Sequence, residues 1–219
     1  MLFRDRMDAA NRLAEKLSAY RGKNPLVLAI PRGAAPMAKL IADELGGVAD
    51  VVLVRKIGAP GNPEFAIGAV DESGSMFVTD DAIVTGASEN YLAQEKQRQL
   101  DIMRNRRAQY TPLREPSDPA GRIVIVVDDG LATGSTMIAA LRALRQRNPE
   151  KLICAVPVAP PDTLDKVEHY ADQVVCLHAT AEFFAVSQFY GHFPQVDDEE
   201  VMAILSGGVG TGKPEKFTQ

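Results

Sequence analysis

The segment 122–136, RIVIVVDDGLATGST, concentrates residues able to do chemistry. A continuous apolar run ends on two adjacent carboxylates, Asp128 and Asp129. Acids at the rim of a buried strand are costly unless something cationic or hydroxylated uses them. A few residues later, Thr133, Gly134, Ser135 and Thr136 open a helical pattern. The first N–H groups of a helix lack internal partners and sit at the positive end of its dipole. A tight turn at Gly134 flanked by hydroxyls therefore makes a cradle for a phosphate. Carboxylates for hydroxyls, beside amides for a phosphate, suit a sugar phosphate. A strand end followed by a capped helix is the plain structural alternative. A lone TGST would be read that way; the acid pair at this spacing favours the ligand.

Those residues need elements to hold them. Ala10, Leu13, Leu17 and Tyr20 recur at helical spacing, predicting a helix over 5–21 that ends near Gly22. PLVLAI (25–30) reads as a buried strand that stops at Pro31-Arg32-Gly33, with a helix over 35–45 closed by Gly46-Gly47. DVVLVRK (50–56) reads as a second buried strand, and IGAPGNPEF after it as a mobile, glycine-rich loop. FAIGAV and MFVTDD flank a hairpin turn at 72–75, and 88–109 is a long polar helix. Three more strands are expected at 122–129, KLICAVPVA and DQVVCLHA, with helices at 135–147, 161–170 and 197–206. Alternating helices and continuous apolar strands predict an α/β chain with a doubly wound, mainly parallel, five-stranded sheet. Ligands bind such sheets at the carboxyl ends of the strands.

VIVVDDGLATGST resembles the signature of the type I phosphoribosyltransferases: an apolar strand, two acids, then a short turn with T-G-x-T. Gly130 departs from the family, which has an aliphatic residue there. The resemblance implies that Asp128 and Asp129 meet the ribose 2′ and 3′ hydroxyls of 5-phosphoribosyl diphosphate (PRPP). It implies that Ala132, Thr133, Gly134, Ser135 and Thr136 hold the 5′-phosphate. Two further stretches are similar. Arg32 and Gly33 stand where the family has a pyrophosphate loop, often with a strained peptide. Arg55 and Lys56, before the glycine-rich stretch, match the Arg-Lys of adenine-type members, where the loop closes over the diphosphate. The resemblance covers roughly 25–178, and the chain is similar to a group of unassigned acceptor that shares GNPEFAIGAV and the SQFY tail.

The family transfers a ribose phosphate from PRPP to a nitrogen acceptor and releases pyrophosphate. The resemblance therefore implies a Mg²⁺ cofactor, held indirectly by Asp128 and Asp129 through substrate or water. It implies a small heterocyclic acceptor, with purine salvage as one setting. The 6-oxopurine members carry an aspartate where this chain has Ala132, so that specificity is disfavoured. A single domain is expected, with its core at about 22–180 and a hood built from about 64–80 and 181–206. Phe184 and Tyr190, with Phe183 and Phe189, are expected to offer faces for a flat base. The rival readings are a regulatory protein that binds PRPP without turnover, and a response-regulator-like phosphate binder. The second would need a phosphate-accepting Asp and a late Lys.

Bulk properties agree with such an enzyme. The chain has 219 residues, 46% hydrophobic, with a net charge of −5, so no global basic field exists for nucleic acid. The arginines at 98, 104, 106 and 107 are expected to form a solvated helix face. No apolar run has the length to cross a membrane, and the N-terminus lacks the apolar stretch of a signal peptide, which predicts a cytoplasmic location. Cys154 and Cys176 sit in apolar runs and are expected as free thiols. His169, His178 and His192 lack partners at ligand spacing, although His192 falls in the expected hood. GGVGTGK (207–213) imitates a phosphate loop but runs into Pro214, and the tail 207–219 is expected to be frayed. A homodimer is expected, with the N-terminal and 88–109 helices as its surfaces.

Overall fold

The computed structural model describes residues 2–111 and 116–206, apart from the Glu64 side chain. Five parallel strands form the main sheet: β1 (Leu26–Ala29), β2 (Val48–Val51), β6 (Ile123–Val127), β7 (Lys151–Ala159) and β8 (Gln173–Ala179). Their order across the sheet is β2-β1-β6-β7-β8. Alternate residues of each strand feed two separate cores. Val27, Ala29, Ile125 and Val127 join one with Leu13, Met37 and Ile41, which lie on α1 (Arg6–Lys16) and α2 (Ala35–Leu45). Leu26, Leu28, Val124 and Val126 join the other with Met137, Leu141 and Val167, from α5 (Ser135–Arg145) and α6 (Pro161–Glu168). Burial on both faces explains why the three inner strands, β1, β6 and β7, are nearly continuous apolar runs rather than alternating ones.

Local signals set the helix ends. Asp5 caps α1 by accepting from the Asp8 N–H at 2.8 Å. Gly46 closes α2 in the left-handed region, at φ 68°.

The expected strand over 50–56 is corrected. It ends at Val51, and the chain changes sheets across Val52 and Leu53. Arg55 and Lys56 lie on β3 (Val54–Ala59), which pairs antiparallel with β4 (Asn62–Asp71); β5 (Met76–Val78) completes a second, three-stranded sheet. The stretch expected as a mobile loop is thus largely a hairpin. Gly58 permits its tight crossing: a Cβ there would lie 2.5 Å from the Pro63 carbonyl oxygen.

The two stretches expected to form the hood share contact with one helix and each also packs on another. The small sheet lies against α5, where the Arg142 guanidinium covers the Phe77 ring at 3.7 Å. The final helix, α7 (Asp198–Leu205), packs on α2. The long helix α4 (Glu89–Tyr110), which follows the short α3 (Asp81–Val84), contacts both.

Arg107 of α4 departs from the solvated face expected for it. It is half-buried, donating to the buried Asp50 at 2.8 Å, to the Val51 carbonyl at 2.9 Å and to Glu72 at 2.6 Å. Cys154 is buried, Cys176 is half-buried, and both are free. The 207–213 glycine motif lies outside the described residues.

Candidate active site

β1 and β6 are neighbours, so the turns leaving their carboxyl ends meet. Pro31-Arg32-Gly33 follows β1, and the Pro31–Arg32 peptide bond is cis. Asp128 and Asp129 follow β6, and the Asp129 N–H donates to Asp128 Oδ1 at 2.9 Å. Gly33 sits directly on the second acid, since a Cβ built there would lie 2.1 Å from Asp129 Oδ2. No other residue type fits that approach without displacing the carboxyl.

The phosphate turn is braced from behind. Gly134 holds φ 73°, and a Cβ on it would meet the Thr163 methyl at 2.9 Å. The Thr163 hydroxyl donates to the Ala132 carbonyl at 2.8 Å, and the Leu131 N–H donates to Val158 at 2.9 Å. Ala132, Thr133, Ser135 and Thr136 are left exposed, with the Thr133 and Ser135 hydroxyls 3.1 Å apart. A cavity of about 190 Å³ opens here, lined by Asp128 and the run from Gly130 to Met137. The first residues of α5 line this space; no side chain caps the helix from Gly134, and the Ser135 N–H makes only a long 3.5 Å bond to the Thr133 hydroxyl, so the helix start is available to an anion.

Gly130 explains its own departure from the family pattern. A Cβ at this position would meet the Val186 side chain at 2.7 Å and Val158 at 3.0 Å. The missing side chain lets the 186–189 turn of 3₁₀ helix settle on the acid turn.

A larger cavity of about 410 Å³ adjoins the first, because Thr136 lines both. Its walls include Pro31, Arg55, Lys56, Arg98 and Arg106. Arg55 donates to Gln99 Oε1 at 2.9 Å, and Gln99 in turn donates to Glu95 at 2.6 Å. Lys56 is exposed. Arg98 and Arg106, expected as part of a solvated face, thus border a cleft, while Arg104 remains exposed beside Asp101. Arg32 turns away toward α7, 3.6 Å from Asp198.

Three of the four expected base-facing aromatics pack elsewhere. Tyr190 is buried, and its hydroxyl donates to the Asp129 carbonyl at 2.7 Å. Its ring packs on Phe193 at 4.7 Å and on Phe3 at 5.4 Å. It braces the second acid from below and offers no face to a base. Phe183 and Phe189 pack on each other at 5.3 Å. Phe184 alone of the four keeps a free ring, 93% exposed. His192 is exposed.

Sequence inspection missed Arg6. Its Nε donates to Asp129 Oδ2 at 2.9 Å across 123 positions of chain. An arginine on an amphipathic N-terminal helix carries no signal that it reaches the site.

The electrostatics follow from burial. Burial pushes the Asp128 carboxyl well above the ordinary aspartate range, and the adjacent Asp129 charge pushes the same way. Burial also raises Asp129, against the pull of Arg6. Among the described residues, no group of three or more His, Cys, Asp or Glu side chains could hold a metal ion directly. No helix among them is long and apolar enough to cross a membrane.

A family model for the phosphoribosyl transferase domain matches residues 3–190. The chain belongs to the phosphoribosyltransferase family. A phosphoribosyltransferase-family relative from Mycobacterium tuberculosis, named "putative phosphoribosyl transferase", is 41% identical over 206 residues, 93% of this chain. The match covers 46% of that relative, so the chain spans about half its length. A uracil phosphoribosyltransferase of Streptomyces griseus is 36% identical over 72 residues, covering 32% of this chain and 34% of that protein. The crystal structure of TT1426 from Thermus thermophilus is similar at a TM-score of 0.87 and 44% identity, covering 96% of this chain and all (100%) of that one. The five-stranded parallel sheet and its acid-ended central strand are thus those of a type I phosphoribosyltransferase.

Proposed function

We propose that this phosphoribosyltransferase moves the 5-phosphoribosyl group of PRPP to a ring nitrogen of a small heterocycle, a nucleobase by preference, and releases pyrophosphate. One observation carries the proposal: Asp128 and the Thr133–Thr136 turn open on the same small cavity. In that cavity the α5 N–H groups and the Thr133, Ser135 and Thr136 hydroxyls hold the 5′-phosphate. Asp128 and Asp129 accept from the ribose 2′ and 3′ hydroxyls. Arg55 and Lys56, on the adjoining cavity, face the diphosphate. Arg32 and Gly33 belong to the same end of the sugar, and Arg32 must leave Asp198 to reach it.

The acid pair fits a hard divalent cation. Two carboxyls with free oxygens suit Mg²⁺, which prefers oxygen ligands and keeps most of them from water and substrate. When bound, Mg²⁺ neutralises charge growing on the departing diphosphate. The chain's own residues supply the rest. Arg55 and Lys56 add fixed positive charge where the leaving group forms. The acids hold the ribose while its anomeric carbon becomes cationic, and the β3–β4 hairpin limits water reaching that carbon. No nucleophilic side chain is needed.

Of the four aromatics expected to face a base, Phe184 keeps an exposed ring for an acceptor. Ala132 leaves no carboxylate where the 6-oxopurine members have one, which favours adenine-like acceptors, and the Streptomyces relative brings uracil into the comparison. Pyrophosphate release from Mg²⁺-PRPP across a panel of purine and pyrimidine bases tests the proposal. Release with at least one base supports it. PRPP binding with silence across the panel would point instead to a regulatory protein.

A further inference from the structure

We propose that Arg6 is a positioning residue for ribose binding, acting through Asp129. The inference rests on the proposed contact between Asp129 and the sugar. Arg6 is 8% exposed, and its guanidinium is held on every side. Nε donates to Asp129 Oδ2 at 2.9 Å, and Nη2 lies 2.9 Å from the same oxygen. Nη1 donates to the Pro194 carbonyl at 2.6 Å, and the guanidinium carbon stands 3.7 Å from the centre of the Phe193 ring. An arginine fork can satisfy these directions at once, whereas a lysine supplies charge without the fork.

The consequence for the acid is directional. With Oδ2 taken by Arg6, Asp129 Oδ1 makes no hydrogen bond to another residue among the described ones. Gly33 closes the other side, since a Cβ there would stand 3.2 Å from Arg6 Nη2 and 2.1 Å from Oδ2. Arg6 therefore fixes the rotamer of Asp129 and decides which oxygen remains for a sugar hydroxyl. It touches no reacting atom itself. A residue that only fastened α1 to the 193–194 segment would need Phe193 and the Pro194 carbonyl, but not a carboxylate of the candidate ribose site.

Calorimetric titration separates these roles, using the 219-residue chain with ribose 5-phosphate and, separately, with Mg²⁺-pyrophosphate. Arg6→Met is expected to weaken ribose 5-phosphate by on the order of tenfold to a hundredfold, the weight of a charge-assisted hydrogen bond. Pyrophosphate affinity should hold, because Arg55 and Lys56 are untouched. Arg6→Lys should recover part of the loss. Ala10→Gly loosens α1 at a buried apolar position while keeping the Arg6 guanidinium, so it should lower the thermal midpoint and leave both affinities alone. The inference is overturned if Arg6→Met binds ribose 5-phosphate like the wild type, or loses both ligands alike. It also fails if Ala10→Gly loses as much as Arg6→Met. If the wild type does not bind ribose 5-phosphate at all, the ribose site itself is refuted and the role of Arg6 falls with it.

Discussion

A Cβ on Gly33 would stand 2.1 Å from Asp129 Oδ2, so the turn after β1 and the acid after β6 share one van der Waals surface. The acid cannot swing aside freely, because Arg6 holds the same oxygen. Gly33→Ala should therefore twist the Asp129 carboxyl out of place. Overpacking of this kind costs about 1–3 kcal/mol. Urea denaturation should show that loss, and calorimetry should show weaker ribose 5-phosphate binding. Unchanged affinity in a folded Gly33→Ala variant would mean that the contact has no bearing on the sugar.

Gly130→Ala tests the second close approach. Its Cβ would meet Val186 at 2.7 Å, so the 186–189 turn must lift off the acid turn. A loss of about 1–3 kcal/mol is expected, with faster amide exchange around Val186. Stability equal to the wild type would show that an aliphatic residue is tolerated here as in other family members.

Arg107→Met removes the guanidinium from the buried Asp50 and from Glu72. Breaking a buried ion pair from one side costs about 3–5 kcal/mol. Burial alone would raise the Asp50 carboxyl, but Arg107 and the N–H groups of Ser117 and Val51 outweigh it and hold it below 3.8. Its contribution is complete above that unfolded value and is lost as pH falls through the lower folded one. The variant lacks the contribution, so its acid unfolding should begin at higher pH. Circular dichroism across an acid series would check both the direction and the size.

Tyr110 joins α4 to α7 by donating to Asp198 at 2.5 Å. Tyr110→Phe should cost about 1.5 kcal/mol, as the loss of a hydrogen bond to a charged acceptor. Burial, then the Asp198 bond, pushes the Tyr110 hydroxyl up to about 12 from 10.0. Its contribution is therefore full below the unfolded value of 10.0 and disappears as pH rises through about 12. Alkaline denaturation of Tyr110→Phe should be flatter over that interval; a curve parallel to the wild type would contradict the assignment.

The sheet was legible because its inner strands are buried on both faces. Val124 and Val126 feed one core while Ile125 and Val127 feed the other, so no polar residue interrupts the run. The acid turn was legible because charge at the end of such a run has little purpose except a ligand. The sheet change at Val52 and Leu53 was not legible, since apolar residues continue through it and periodicity cannot mark where one sheet ends. Tyr190 shows a different limit. An aromatic that stacks on a base and one that packs beneath an acid have the same sequence signature, and only its hydrogen bond to Asp129 separates them. Arg6 lies on an amphipathic helix and Arg107 on a polar one, and they find partners 123 and 57 residues away, a separation that local pattern does not encode.

The most direct measurement is calorimetric titration of Mg²⁺-PRPP into the wild type and into the double variant Asp128→Asn, Asp129→Asn. The acids and the phosphate turn are expected to work as one sugar-phosphate grip. The wild type should bind, and the double variant should show no heat beyond dilution while keeping its circular dichroism spectrum. Equal binding by both proteins would contradict the central claim.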